Sequence, residues 1–177
     1  MKTIKCEHLK VINQTTYLDS RGFVKPLRFK NSAKLPFNAK DIYISSSNKG
    51  VFRGLHVQFS SPPPNKLVSI IHGSIIAVSV CCNTKCRSFG KVTIKKLSSN
   101  TSKGLFIPKL QAFGYLVLEN KTLIATCTDQ QYIESDERGI NPSSFADILE
   151  HKGKIKISNK DKKWPNLNNF KKINRVN

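Results

Sequence analysis

The feature that most restricts this chain is a periodicity it lacks. Between residues 41 and 157 short apolar and β-branched runs follow one another, each closed by Gly, Pro, Asn or Ser, and apolar side chains almost nowhere recur at helical spacing. Asp41-Ile42-Tyr43-Ile44 reads as a short strand before a turn at Ser45-Ser46-Ser47-Asn48. Two apolar runs, 67–71 and 75–80, flank His72-Gly73-Ser74 and predict the clearest hairpin of the chain. Further strands are expected over 91–97, 104–107, 114–118, 122–127 and 154–157, and weak alternation in residues 1–18 offers an edge strand. Asp19-Ser20-Arg21-Gly22-Phe23 predicts a turn followed by an extended segment. Residues 35–39 and Ser60-Ser61-Pro62-Pro63-Pro64 are expected as loops, and only 144–150 carries the pattern of a short helix. Many short strands separated by turns imply an all-β sandwich or barrel of the jelly-roll kind. Neither an internal repeat nor a linker divides the sequence, so residues 1–177 are read as one domain, with 162–177 as a basic C-terminal extension.

Within this framework the stretch Gly50-Val51-Phe52-Arg53-Gly54-Leu55-His56-Val57-Gln58, followed by Lys66, concentrates chemistry on one strand. A period of two puts Arg53, Leu55 and Val57 on one face and Phe52, Gly54, His56 and Gln58 on the other. Arg53 and His56 therefore meet only if Gly54 bends the strand, as glycine in a strand interior often does. The proline loop would carry the chain from His56 to Lys66 across the mouth of a cavity.

Thirty Lys and Arg against eleven Asp and Glu give a net charge of +19, which calls for an anionic partner: nucleic acid, a membrane surface or a phosphorylated small molecule. No strand shows the interleaved aromatic and basic residues of a single-strand binder, so nucleic acid is not the expected partner. No run is long and apolar enough for a membrane span, and the polar first ten residues have no signal-peptide core. The tail is expected to be a solvated extension, packing partly through Trp164 and Phe170. Cys6, Cys81, Cys82, Cys86 and Cys127 lie in or near apolar runs and are read as buried free thiols of a reducing cytoplasm. His8, His72 and His151 have no partner logic and are read as structural or solvated.

The order of motifs adds a further reading. Asp19-x-Arg21-Gly22-Phe23, the Gly50 to Gln58 stretch, Lys66-Leu67-Val68, Ser88-Phe89-Gly90, Ile107-Pro108, Glu137-Arg138-Gly139-Ile140 and Ser158-x-Lys160-Asp161 resemble the dTDP-4-dehydrorhamnose 3,5-epimerase family over residues 19–167. The resemblance implies a cupin-like β jelly roll with short helical segments, usually dimeric. Its implied substrate is a nucleoside diphosphate joined to a 4-keto-6-deoxy hexose, epimerised by proton abstraction beside the ketone without a cofactor or a metal. It also implies residue roles: His56 as general base, Asp161 as the carboxylate that orients it, Arg53 and Lys66 at the enolate or diphosphate, Arg21 at the diphosphate across a dimer interface, and Tyr132 against the nucleotide base.

Several pocket positions depart from the family pattern. Thr126 stands where the family has its catalytic tyrosine, Phe113 where it has a histidine, Ala77 where it has a carboxylate, and Pro26 where it has a glutamate. The reading therefore stays open between an epimerase acting at one or both carbons and a catalytically silent relative that only binds a nucleotide sugar.

Overall fold

The computed structural model describes residues 7–27, 37–145 and 153–174. Strands form where the apolar runs predicted them: β1 (Lys10–Asn13), β2 (Tyr17–Asp19), β3 (Gly22–Val24), β4 (Asp41–Ser47), β5 (Val51–Gln58), β6 (Lys66–His72) and β7 (Ser74–Cys81). They continue with β8 (Val92–Ser98), β9 (Lys103–Ile107), β10 (Gln111–Val117), β11 (Thr122–Thr128), β12 (Glu137–Gly139), a strand that no apolar run predicted, and β13 (Lys156–Ile157). One sheet has the order β1-β9-β6-β11-β4, the other β12-β5-β10-β7-β8 with β13 added in parallel to β5, and β2 and β3 form a separate hairpin. The expected all-β jelly-roll architecture is what the chain adopts. Strand β4 runs on to Ser47, so the predicted Ser45–Asn48 turn begins later, at Asn48.

The clearest hairpin of the sequence is not one. Strand β6 pairs with β9 and β11, while β7 pairs with β10 and β8, so the Gly73 corner carries the chain from one sheet to the other. Both strands are central and covered on both faces, which makes them continuous apolar runs, and such runs do not reveal which neighbour they take. Gly73 is required at that corner. It sits at φ +84°, and a β-carbon there would lie 2.2 Å from Thr122 Oγ1.

Two cores result. Between the sheets, Val68, Ile70, Leu105, Ile107 and Ile124 meet Ile75, Ala77, Phe113, Tyr115 and Val117. On the outer face of the second sheet, Phe52, Leu55, Val57, Val78 and Leu116 are covered by Ile140, Phe145 and Phe170. The tail thus packs through Phe170, as expected, and Trp164 lies against Gly139 so closely that a β-carbon there would be 2.5 Å from the indole. Burying a phenylalanine of this kind contributes about 2–3 kcal/mol. The helices α1 (Asn159–Lys162) and α2 (Leu167–Asn174) correct the expectation that only 144–150 is helical. Of that stretch, Ser144 and Phe145 end a 3-10 turn, Pro142–Phe145, and 146–150 lie outside the described residues. Helix α2 was missed because Leu167 and Phe170 are its two core-facing residues, too few to register as a period.

Cys81, Cys82 and Cys127 are buried free thiols, and burial pushes Cys82 up to about 12. Cys86 departs from that reading: it is disulfide-bonded.

Candidate active site

The site begins with an irregularity in β5. Phe113 of β10 pairs with His56 and Tyr115 pairs with Arg53, so Gly54 and Leu55 together face the single residue Gly114. This bulge shifts the alternation by one position. Phe52 before it and Leu55 and Val57 after it point into the outer core, while Arg53 and His56 both look into the space between the sheets. Glycine at 54 makes this possible: φ is +96°, and a β-carbon would lie 2.6 Å from the Phe113 carbonyl oxygen. The bend required for Arg53 and His56 to meet is present.

His56 is then fixed by the C-terminal segment. Ser158 caps α1 by accepting a hydrogen bond from the Asp161 backbone N–H at 3.0 Å, and this turns the Asp161 side chain inward. Its Oδ1 lies 2.6 Å from His56 Nε2, and its Oδ2 accepts from the Gly54 N–H at 3.4 Å. Burial raises the Asp161 pKa, but the hydrogen bond and charge of His56, the Ser158 cap and the Gly54 N–H outweigh it and hold the carboxyl below its usual range. With Nε2–H given to Asp161, the ring's lone pair is on Nδ1, the atom a general base needs. Nδ1 is 3.7 Å from Glu137 Oε1.

The opposite wall belongs to the other sheet. Thr126 stands between Val68 on β6 and Tyr43 on β4, and Thr128 stands between Lys66 and Asp41. Side chains two apart on a strand share a face, so Lys66, Thr126 and Tyr43 all point across the gap toward β5. With Arg53, His56, Phe113, Tyr115, Lys156, Lys160 and Asp161 they line a cavity of about 680 Å³. A smaller lobe of about 290 Å³ is lined by Asp41, Gln58, Thr128, Tyr132 and Glu137, and it shares His56, Lys66 and Tyr43 with the larger one.

Positive charge is held in place here. Arg53 donates through Nε to Ser47 Oγ at 2.8 Å and through an Nη to the Ser46 carbonyl at 3.2 Å, so two residues of β4 aim the guanidinium. Desolvation holds Lys66 below the usual lysine range, against the opposing charge of Glu137. Lys160 is ion-paired with Glu137, whose Oε2 also accepts from the Tyr132 hydroxyl at 3.2 Å. Among the described residues no cluster of three or more His, Cys, Asp or Glu side chains could hold a metal ion.

Of the residues singled out in the sequence, the fold brings His56, Asp161, Arg53 and Lys66 to one cavity and Tyr132 to its smaller lobe. Arg21 is not brought there. It lies on the turn between β2 and β3, its side chain 88% exposed and paired with Asp19 at 2.7 Å. Sequence reasoning missed Glu137, although its motif was in view, and it missed Tyr43, Lys156 and Lys160. Tyr43 carries no motif, and only the pairing of β4 with β11 puts it on the wall.

Residues 3–169 match the model of the family described as dTDP-4-dehydrorhamnose 3,5-epimerase. The chain is 32% identical over 168 residues to the dTDP-4-dehydrorhamnose 3,5-epimerase of Methanothermobacter thermautotrophicus, an alignment covering 89% of this chain and 88% of that one. Among solved structures it resembles dTDP-6-deoxy-D-glucose-3,5-epimerase of Legionella pneumophila in complex with dTDP-4-keto-L-rhamnose. The TM-score is 0.78 and the identity 28%, over 94% of this chain and 91% of that one. A 3'-monoepimerase from Streptomyces bikiniensis in complex with dTDP-quinovose shares the fold, with TM-score 0.83 at 17% identity, over 99% and 91% of the two chains.

Proposed function

The chain belongs to the dTDP-4-dehydrorhamnose 3,5-epimerase family, and from that membership we propose that it epimerises a nucleoside-diphosphate-linked 4-keto-6-deoxy sugar by abstracting a proton beside the ketone. The observation that carries this reading is the His56–Asp161 pair, at 2.6 Å in a cavity with Arg53 and Lys66. Hydrogen on carbon next to a ketone is acidic only if the enolate oxygen is stabilised as it forms. Fixed cations lining the cavity supply that stabilisation, and a neutral imidazole supplies the base.

In this reading His56 Nδ1 takes the proton, and Asp161 holds the tautomer and shares the charge of the imidazolium that results. Lys66 and Arg53 receive the enolate oxygen and the diphosphate, with Lys156 and Lys160 adding positive charge along the same cavity. Tyr132, half exposed at the smaller lobe, packs on the nucleotide base. Arg21 works in trans: the exposed β2–β3 hairpin, with Leu18, Phe23 and Val24 uncovered, docks on a second copy and brings the guanidinium to the partner's diphosphate. The enzyme is then a homodimer acting in the cytoplasm, where nucleotide-activated sugars are available.

Incubation with a dTDP-linked 4-keto-6-deoxy hexose in deuterated water tests the reaction. Deuterium is expected at a carbon beside the ketone, with the inverted sugar as product, and His56→Ala abolishes both. Thermal stabilisation by the nucleotide sugar without any exchange would mark the chain as a silent binder instead.

A further inference from the structure

Inversion needs two groups on opposite sides of one carbon: a base that removes the proton and an acid that returns one to the other face. His56 fills the first role from β5. Returning the proton from the same imidazole would regenerate the starting sugar, so the second group must come from the facing sheet.

Of the hydroxyl-bearing side chains that line the cavity, Tyr115, Thr126 and Tyr43 meet that demand unequally. Tyr115 rises from β10, the immediate neighbour of β5, and its hydroxyl is taken up across the gap by Ser45 Oγ of β4 at 2.8 Å. Thr126 is on the facing sheet, but an aliphatic hydroxyl is far too weak an acid to protonate an enolate carbon efficiently. Tyr43 is also on the facing sheet. It is the cross-strand partner of Thr126, and with His56 and Lys66 it lines both lobes of the cavity.

We propose that Tyr43 is the catalytic acid of this enzyme, delivering a proton to the sugar carbon from the face opposite His56, in place of the phenol that position 126 does not provide. The proposal rests on the epimerase reading above. The steps balance without a co-reactant. His56 Nδ1 takes the proton, the C–H electron pair becomes the enolate double bond, and the carbonyl π pair moves onto oxygen. Tyr43 O–H then gives its proton to the opposite face, the enolate π pair forms the new C–H bond, and the ketone is restored. A proton passing from the imidazolium to the phenolate through solvent resets the site.

The surroundings suit the task. Tyr43 is 46% exposed as a residue and lines the cavity, where its hydroxyl is hydrogen-bonded with Thr126. Desolvation there, joined by Tyr115, Asp41 and Glu137 and opposed by a hydrogen bond with Thr126, pushes its pKa up to about 12, so the phenol is protonated and ready to donate at neutral pH. The cross-strand position also explains how a tyrosine could leave β11 without removing a phenol from the wall: the same face is reached from the adjacent strand.

The test is the full-length Tyr43→Phe variant, with Tyr115→Phe and His56→Ala alongside, incubated with the dTDP-linked 4-keto-6-deoxy hexose in deuterated water. Product stereochemistry and deuterium content are read by NMR. Tyr43→Phe is expected to form the inverted sugar about 100-fold more slowly or worse, while deuterium still enters the unchanged sugar with retention, because His56 continues to remove and return the proton. Tyr115→Phe is expected to slow inversion less than Tyr43→Phe does, and the reverse order would overturn the assignment. If Tyr43→Phe inverts at the parent rate, or if it loses exchange together with inversion, Tyr43 is not the donor. A parent chain that exchanges nothing overturns the epimerase reading itself, whereas a parent that inverts leaves that reading standing whatever Tyr43 does.

Discussion

His56 and Asp161 are separated by 105 residues of chain and by 2.6 Å between ring nitrogen and carboxylate oxygen. One comes from a bulged strand in the middle of the sequence, the other from the first turn of α1. The Gly54 N–H donates to the carboxylate and the Ser158 hydroxyl accepts from the Asp161 backbone N–H, so its geometry does not depend on the imidazole alone. In the proposed mechanism that preorganisation lets Asp161 set the tautomer.

Replacing Asp161 with Asn removes the charge while preserving the shape. The amide can turn its NH2 toward Nε2 and favour the tautomer whose Nδ1 carries the proton, which leaves no lone pair facing the substrate. We expect kcat to fall about 10²- to 10⁴-fold with KM changed less than about threefold. Steady-state kinetics check this, and a kcat within tenfold of the parent would refute the orienting role.

The same carboxylate makes stability depend on pH. Because its pKa is lower folded than unfolded, the group stabilises the fold fully above the unfolded aspartate value of about 3.9, and this contribution is lost as pH falls through the depressed folded value. Urea melts of the parent and Asp161→Asn between pH 6 and pH 2 should show a constant difference above about pH 5 that shrinks toward zero in acid. A difference that grows on acidification would contradict the sign.

Gly54→Ala tests the bulge. The alanine β-carbon would meet the Phe113 carbonyl at 2.6 Å with φ at +96°, so the strand must shift. A cost of about 2–3 kcal/mol or more is expected, together with loss of exchange activity as Arg53 and His56 part. Chemical denaturation and the deuterium assay read the two effects separately.

Arg21 lies far out on the β2–β3 hairpin, and if it serves the neighbouring subunit, mixing must reveal it. The Arg21→Ala and His56→Ala proteins are each expected to be impaired. Unfolding and refolding them together should restore activity, because one site in each mixed dimer then carries neither lesion. A mixture no more active than its components would argue against an arginine acting in trans.

Much of this protein was written in local sequence. Short runs of β-branched and apolar residues set the strands, Gly54 announced the bend between Arg53 and His56, and the spaced motifs marked His56, Asp161, Arg53 and Lys66. These features are local because side-chain alternation and glycine's backbone freedom act over a few residues. Partner choice is not local. β6 and β7 look like a hairpin, yet each takes its neighbours from elsewhere, since a run buried on both faces carries no mark of which strand will lie beside it. Only that pairing decided that Tyr43, an unremarked residue of β4, stands beside Thr126 on the wall facing His56, and only packing decided that Phe170 closes the outer core.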